Sequence, residues 1–323
     1  MSHDASPDTQ MIPLRVTRNE PIADGIHLFE FQEPGGLALP EFSAGSYISV
    51  RVPNGAIRKY SLCNDPAEHD RYQVAVKRET SGSGASGELI DRVKAGDIIM
   101  VGEPVNVFAL PPRAQDFLFI AGGIGITPIM SMIRQVHRAG KRFRLIYIAH
   151  SPELAPFRDE LSAPELKDFV TIHYDYGDPA RAFDFGPYLK ERQNREHLYC
   201  CGPRPLMETV REMTDHWSPT ALHFEAFAPA AKPPGGDRPF RVRLAKAGRT
   251  LDVPVDKSIL EVLREAGFDV PSSCETGTCG TCRVKVLAGE VDHRDLVLSH
   301  AEKANTMMIC VSRAKGDEIT LDR

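Results

Sequence analysis

The chain has 323 residues, of which 42% are hydrophobic and 26% charged, and its formal net charge is −5. This is the composition of a globular protein with two or three domains of ordinary size. The charge gives no reason to expect nucleic-acid binding, and no stretch approaches the roughly 18 apolar residues of a membrane-spanning helix.

The chain begins with MSHDASPDTQ, which lacks the apolar segment of a signal peptide. We therefore expect a cytoplasmic protein that does not interact with a membrane and whose thiols stay reduced.

Residues 1–110 are predicted to form a small domain of antiparallel strands. Short runs such as GIHLFEF, SYISVRV and RYQVAVKRE alternate with Gly, Pro and Asn, which is typical of a barrel or sandwich. In RKYSL, alternation places Arg58, Tyr60 and Leu62 on one face and Lys59 and Ser61 on the other. An arginine beside an aromatic ring can hold a phosphate and pack on a planar group. A solvated surface strand is the alternative interpretation.

Residues 111–227 are predicted to form a domain of βαβ units around a parallel sheet, because apolar runs alternate with amphipathic helices. AGGIGITPI at 121–129 follows a strand and opens a helix, where glycines let the backbone approach a pyrophosphate. YCCGPRPLM at 199–207 repeats this arrangement, which would place Cys201 on the floor of a nucleotide crevice. A plain strand–helix turn and a small buried cysteine are the alternatives.

Residues 228–239, APAAKPPGGDRP, are predicted to be an interdomain linker of some stiffness because of their proline content. Residues 240–323 would form a third domain of strands with one helix. It carries 13 basic and 13 acidic residues, so the net charge of −5 lies entirely in residues 1–239.

Four of the seven cysteines of the chain predict a metal centre in the third domain. Cys274, Cys279, Cys282 and Cys310 follow the pattern C-x4-C-x2-C-x27-C, the spacing of a plant-type [2Fe–2S] ferredoxin. Gly277 and Gly280 allow the loop to wrap tightly. A zinc site, which usually has two C-x2-C pairs, and a disulfide are the weaker alternatives.

Together these motifs resemble the flavin- and iron–sulfur-containing reductases of ring-hydroxylating oxygenases, over essentially the whole chain. The resemblance implies an antiparallel β-barrel flavin domain, an α/β parallel-sheet nucleotide domain of the ferredoxin-reductase type, and a C-terminal α+β β-grasp ferredoxin domain. The segments that carry it are RKYSLCND at 58–65, VAVKRE at 74–79, AGGIGITP at 121–128, YCCGP at 199–203, HFEAF at 223–227, PSSCETGTCG at 271–280 and DHRDLVL at 292–298.

The resemblance also implies which residues bind the cofactors. The flavin site would comprise Arg58, Tyr60, Ser61, Leu62, Ala75, Lys77 and a phosphate loop with Ser83, Gly84 and Ser86. The dinucleotide site would comprise Gly122, Gly123, Gly125, Thr127, Pro128, Cys201, Gly202 and Pro203. Phe227 would shield the flavin with Glu225 close by, and the catalytic residues would be Ser61, Cys201, Glu225 and Phe227. The family's phosphate loop commonly reads Arg-Gly-Gly-Ser, whereas this chain has Ser83, Gly84, Ala85 and Ser86, so the charge pairing with phosphate is altered.

The implied activity is that of an NADH-dependent oxidoreductase that serves an aromatic-ring dioxygenase. Electrons would pass from NADH through FMN to the [2Fe–2S] cluster, because a flavin accepts an electron pair and releases electrons singly. The partner would be a Rieske-type terminal oxygenase, and the chain would be a monomer. NADPH is the alternative donor, with Arg158 as a distant candidate for binding its 2′-phosphate. A reductase of a vanillate-type O-demethylase and a pure electron carrier are the alternative functions.

Overall fold

The computed structural model describes residues 11–79, 84–193, 195–227 and 236–323. The chain divides into two compact units that meet in sequence between Pro203 and Arg204. Within the described ranges, no helix is both long and apolar enough to span a membrane. The predicted domain limits at 110, 227 and 240 stay predictions, as does the linker, of which 228–235 lie outside the described residues.

The first unit begins with an antiparallel barrel. Its elements are β1 Met11–Ala23, β2 Ile26–Gln32, β3 Ser46–Arg51, β4 Ile57–Ser61, β5 Tyr72–Lys77, α1 Ala85–Arg92, β6 Ile98–Gly102 and β7 Val105–Asn106. The strands follow the order β4-β3-β6-β1-β2-β5, with β7 beside β3. An antiparallel bridge between Leu62 and Val74 joins the two ends of this order, which closes the sheet.

Alternation along the strands divides the barrel residues between two cores. On β5, Val74 and Val76 lie in the core of the barrel, whereas Ala75 between them belongs to a second core. Leu28 pairs with Ala75 and belongs to the same second core. The outer face of β2 and β5 is therefore buried against the next part of the unit.

That next part is a parallel sheet with helices. Its elements are β8 Asp116–Gly122, α2 Ile126–Arg138, β9 Arg142–Ala149, α3 Arg158–Leu161, β10 Val170–Tyr174, α4 Gly186–Leu189 and β11 His197–Cys201. Four parallel strands run in the order β10-β9-β8-β11. Residues of α2, β8 and β9 share the second core with the barrel residues. The carboxyl ends of the four strands meet at one edge, where ligands bind in such sheets.

The second unit contains a mixed five-stranded sheet and two helices. Its elements are α5 Arg204–Met213, β12 Leu222–Glu225, β13 Phe240–Leu244, β14 Arg249–Val253, α6 Ile259–Glu265, β15 Arg283–Ala288, β16 Val291–Asp292, β17 Thr306–Met308, β18 Arg313–Ala314 and β19 Glu318–Leu321. Five strands run in the order β14-β13-β19-β15-β17, and only β13 and β19 are parallel. Helix α6 starts with a capping box between Ser258 and Glu261 and buries its apolar face.

Candidate functional site

Strand β4 presents a small polar group on the outer face of the barrel. Ser61 is 7% exposed and pairs in register with Tyr47 on β3. The Lys59 ammonium lies 4.9 Å from the centre of the Tyr47 ring, so it shares that face. Leu62 lies in the barrel core, so only its backbone is open to a cofactor.

Tyr60 packs against the barrel core and is half-buried. Burial raises the pKa of Tyr60 to about 12, although Arg58 acts in the opposite direction. The phenol therefore stays protonated at neutral pH and can donate a hydrogen bond. The Arg58 guanidinium donates to the Ile57 carbonyl at 2.8 Å, which holds it beside this strand.

Strand β5 and helix α1 carry the remaining residues of the predicted flavin site. Ala75 is buried and Lys77, at the end of β5, is exposed. Gly84, with φ at 69°, precedes the first turn of α1. The Ser86 hydroxyl accepts from the Glu79 N–H at 2.9 Å, which leaves its own proton free to be donated. Ser83 lies outside the described residues.

The two predicted nucleotide turns meet in the structure. A Cβ on Gly125 would lie 2.3 Å from the Cys201 carbonyl oxygen, so this close approach requires glycine. Cys201 is 1% exposed at the end of β11 and pairs in register with Ala121 on β8. Glycine at this turn therefore lets the start of α2 lie directly against the end of β11.

The other residues of these turns differ in what they expose. Gly122 ends β8 and Gly123 has φ at 52°, so their backbones form the turn. Thr127 is buried and donates to the Ile124 carbonyl at 3.0 Å, and Pro128 is also buried. The turn therefore consists of backbone atoms of glycine residues, whereas the side chains of Thr127 and Pro128 are buried next to it. After Cys201, Gly202 is half-buried and Pro203 is exposed.

The carboxyl ends of β9 and β10 carry polar groups that the sequence analysis missed. His150 Nδ1 lies 2.7 Å from Asp175 Oδ1, which also accepts from the Gly177 N–H at 2.8 Å. Burial opposes ionisation of Asp175, but these hydrogen bonds lower its pKa. Tyr176 has φ at 53°, and the Arg181 guanidinium lies 4.5 Å from its ring centre. The sequence feature that could have indicated these polar residues is their position directly after a strand of the parallel sheet.

The four predicted metal ligands form two pairs. The contact with Cys279 lowers the pKa of Cys274, and the contact with Cys310 lowers the pKa of Cys282. The N–H groups of Thr276 and Thr278 each lie 3.4 Å from Cys274 Sγ. Backbone donors aimed at sulfur are the surroundings that a thiolate-held cluster requires.

Four thiolates in two pairs are a donor set that fits a two-iron cluster. Cys274 with Cys279 and Cys282 with Cys310 would hold the irons. All seven cysteines are described and none forms a disulfide.

Glu225 and Phe227 follow one another closely after β12 but differ in exposure. Glu225 is 8% exposed, and burial, with Cys274 adding to it, raises its pKa to about 8. Its Oε2 has no hydrogen-bond partner among the described residues. Phe227 is 52% exposed, so its ring does not lie in a packed core.

Two protein-family models match the chain. Residues 13–109 match the oxidoreductase FAD-binding domain. Residues 242–315 match the 2Fe-2S iron-sulfur cluster binding domain. A flavin-binding barrel and an iron–sulfur domain are therefore confirmed, as the sequence predicted.

Relatives extend the similarity to the full chain. The reductase subunit of phthalate 4,5-dioxygenase from Pseudomonas putida is 48% identical over 323 residues and is covered completely, as is this chain. The vanillate O-demethylase oxidoreductase of Pseudomonas sp. (strain HR199 / DSM 7063) is 36% identical over 97% of this chain and 100% of its own.

A solved structure agrees with the fold described above. The structure of phthalate dioxygenase reductase, described as modular for electron transfer from pyridine nucleotides to [2Fe-2S], is 47% identical, with a TM-score of 0.70 over 99% of this chain and 100% of its own. The predicted fold class, a flavin barrel, a parallel α/β nucleotide domain and a β-grasp ferredoxin, is confirmed. This chain belongs to the family of phthalate dioxygenase reductases, which are flavin- and iron–sulfur-containing oxidoreductases.

Proposed function

We propose that this protein takes electrons from NADH through FMN to its [2Fe–2S] cluster and delivers them to a Rieske-type terminal oxygenase that acts on an aromatic ring. The observation that carries this proposal is the 48% identity over the whole chain to a reductase subunit of a dioxygenase. A flavin held at this site would supply the conversion of a two-electron hydride into single electrons for the cluster.

The chain's own residues prepare the flavin site. We assign Ser61 as the hydroxyl that hydrogen-bonds the flavin ring near its redox nitrogen, because it lies on the outer face of β4. Tyr60 and Arg58 would hold the ribityl phosphate side, and Ala75 and Lys77 would line the ring. Gly84 and Ser86 would bind the phosphate with the unpaired N–H groups of the first turn of α1.

The proposed nucleotide crevice lies where the two glycine-containing turns meet. The backbone of Gly122, Gly123 and Gly125 would bind the pyrophosphate at the start of α2. Cys201, Gly202 and Pro203 would then lie beside the nicotinamide on the β11 side of the turn. Because the dinucleotide extends both ways from its pyrophosphate, the adenosine would lie on the opposite side, at the ends of β9 and β10.

That placement favours NADH over NADPH. The Asp175 carboxylate lies at the end of β10 and is held ionised by His150 and the Gly177 N–H. A 2′-phosphate placed beside this carboxylate would be repelled by it, because both groups are negatively charged. Arg158, the basic candidate for the 2′-phosphate, is paired with Asp159.

Glu225 and Phe227 complete the proposed catalytic set, with the roles that the resemblance implies. The exposed ring of Phe227 would cover the flavin until nicotinamide displaces it. The four cysteines would hold the two irons as the pairs Cys274 with Cys279 and Cys282 with Cys310.

Identification of the bound flavin and of the donor tests this proposal. We expect the flavin released by heat to co-migrate with FMN on a reversed-phase column. We also expect NADH to bleach the flavin band in a stopped-flow instrument much faster than NADPH does. Release of FAD, or equal rates with both nucleotides, would contradict these assignments.

A second function has support from the relatives. The 36% identical vanillate O-demethylase oxidoreductase makes a demethylase partner the second candidate. Purified protein given to a phthalate-type and to a vanillate-type oxygenase should support product formation faster with the former. A carrier without its own NADH oxidation would instead bind flavin that NADH does not bleach.

A further inference from the structure

Helix α2 contacts the antiparallel barrel through residues in its second half, and both belong to the first unit. A Cβ on Gly45 would lie 3.0 Å from Met132 Cε, so this side chain packs against the backbone there. Gln135 Oε1 accepts from the Ala44 N–H at 3.3 Å. The helix that begins at the proposed pyrophosphate turn is therefore attached to the segment that leads into β3.

A further contact from α2 reaches the segment 62–65, which follows Ser61. Arg134 Nη1 donates to the Cys63 carbonyl oxygen. Cys63 is completely buried, so this carbonyl cannot bind water instead. The Cys63 N–H donates to the Gln73 carbonyl at 2.9 Å, which fixes the same residue to β5. The guanidinium thus binds a well-fixed backbone group two residues beyond Ser61, the proposed partner of the flavin ring.

Arg134 is itself held from its other side. Its Nε donates to Glu160 Oε1 at 2.9 Å and its Nη2 to Glu160 Oε2 at 2.6 Å, which makes a two-point ion pair. The guanidinium carbon lies 5.9 Å from the centre of the Phe157 ring. The side chain is only 22% exposed. The guanidinium therefore has little freedom, and it joins α2, the start of α3 and the barrel.

We propose that Arg134 is a positioning residue for hydride transfer, because its guanidinium ties the helix of the nucleotide turn to the segment that follows Ser61. The proposal rests on the proposed function of the chain. Arg134 belongs to none of the proposed flavin, nucleotide or metal sites. It lies about 13 Å along the helix axis from the turn at Gly125, so it acts on the nucleotide through α2.

Hydride transfer and nucleotide binding depend on this tie to different degrees. Transfer breaks the C4–H bond of NADH and forms a bond between that hydrogen and the flavin, which gives NAD⁺ and a flavin reduced by two electrons. Its rate falls steeply when the donor and acceptor atoms are misplaced. Binding of NADH uses the two glycine-containing turns, which stay together without the barrel. Looseness between α2 and the segment 62–65 therefore slows transfer more than it weakens binding.

The test compares R134M with E160Q in the full-length, flavin- and iron-loaded protein. R134M removes the donor to Cys63 and keeps the length of the side chain. E160Q is the matched control, because a glutamine oxygen still accepts from Arg134 and the donor to Cys63 stays in place. Anaerobic stopped-flow mixing with increasing NADH gives the dissociation constant and the limiting rate of flavin bleaching separately.

Two further measurements separate positioning from a general loss of structure. NADH that carries deuterium at the transferred position of C4 shows whether hydride transfer limits the bleaching rate. Hydrogen exchange of the amides in 62–65 is measured on the oxidised protein without NADH, so it is independent of turnover.

We expect R134M to lower the limiting rate of flavin bleaching about tenfold and to change the dissociation constant of NADH by less than about twofold. The deuterium isotope effect should be at least as large as in the wild type, and exchange in 62–65 should become faster. E160Q should match the wild type in every measurement. R134K, which keeps a donor on a shorter reach, should fall between them and serves if R134M binds less flavin.

Three outcomes would overturn the proposal. The limiting rate could be unchanged in R134M, or only the dissociation constant of NADH could rise, which would place the effect at the nucleotide site. Slower bleaching without an isotope effect would assign the loss to a step other than hydride transfer. Failure of NADH to bleach the flavin of the wild type would instead refute the proposed function, so the two failures are distinguishable.

Discussion

The cysteine loop leaves no room for a side chain at Gly277. Its φ is 78°, and a Cβ there would lie 2.6 Å from Val311 Cγ2 and 3.2 Å from Asp295 Cα. Both the left-handed backbone and the close approach of a buried neighbour therefore require glycine. Because Gly277 lies between Cys274 and Cys279, any shift here moves the proposed ligands.

We expect Gly277→Ala to reduce the iron content of the protein and to lower its stability by about 1–3 kcal/mol, from strain and overpacking. Iron analysis and the visible absorption of the reconstituted protein measure the first effect, and thermal unfolding measures the second. Gly316→Ala is the control, because it lies in the same part of the chain with nothing within 4 Å of its Cβ. Full iron content in Gly277→Ala would contradict this prediction, because it would show that the loop accommodates a Cβ and still binds the metal.

Helix α6 holds the start of the cysteine loop through one side chain. Arg264 Nη1 donates to Glu275 Oε1 at 2.9 Å, and Ser272 donates to the same oxygen at 2.7 Å. Glu275 has φ at 58°, which a residue with a side chain rarely adopts. The contacts of its carboxylate therefore offset part of the cost of its backbone conformation.

We predict that Arg264→Gln destabilises the loop by less than Gly277→Ala does. The pair is 44% and 48% exposed, and such pairs contribute about 0.2–1 kcal/mol. The rate of cluster loss on warming should rise modestly and should become less sensitive to salt than in the wild type. A destabilisation as large as that of Gly277→Ala would mean that the ion pair, and not the backbone, determines the conformation of the loop.

The end of β10 determines the nucleotide preference in this account. Asp175→Ser removes the carboxylate and keeps a small polar group. In the Asp175→Ser variant we expect the ratio of kcat/KM for NADH to kcat/KM for NADPH to fall about tenfold, because the KM for NADPH becomes lower. Steady-state kinetics with both nucleotides measures the ratio, and Asp178→Ser on the following turn is the control. An unchanged ratio would place the adenosine elsewhere.

At the scale of elements, the sequence predicted the features that depend on local residue spacing and missed a feature that depends on a contact between residues far apart in the chain. Alternation correctly separated Ser61 from Leu62, and glycine spacing predicted the turns that meet at Gly125 and Cys201. Asp175 was missed because a single carboxylate after a strand has no motif, and its importance depends on a neighbour 25 residues away, His150.

At the scale of the whole molecule, the distribution of charge bears on partner recognition. Residues 240–323 carry 13 basic and 13 acidic residues, so this part has no net charge to steer a partner from a distance. We therefore expect electron transfer to the oxygenase to depend weakly on ionic strength. Rates measured between low and physiological salt test this, and a steep fall with salt would contradict it.

An anaerobic NADH titration of the reconstituted protein, followed by visible absorption, tests the central claim most directly. We expect a flavin and a [2Fe–2S] cluster in equal amounts, both of which NADH bleaches. Protein that holds neither iron nor flavin after careful reconstitution, or a bound flavin that NADH leaves oxidised, would contradict it.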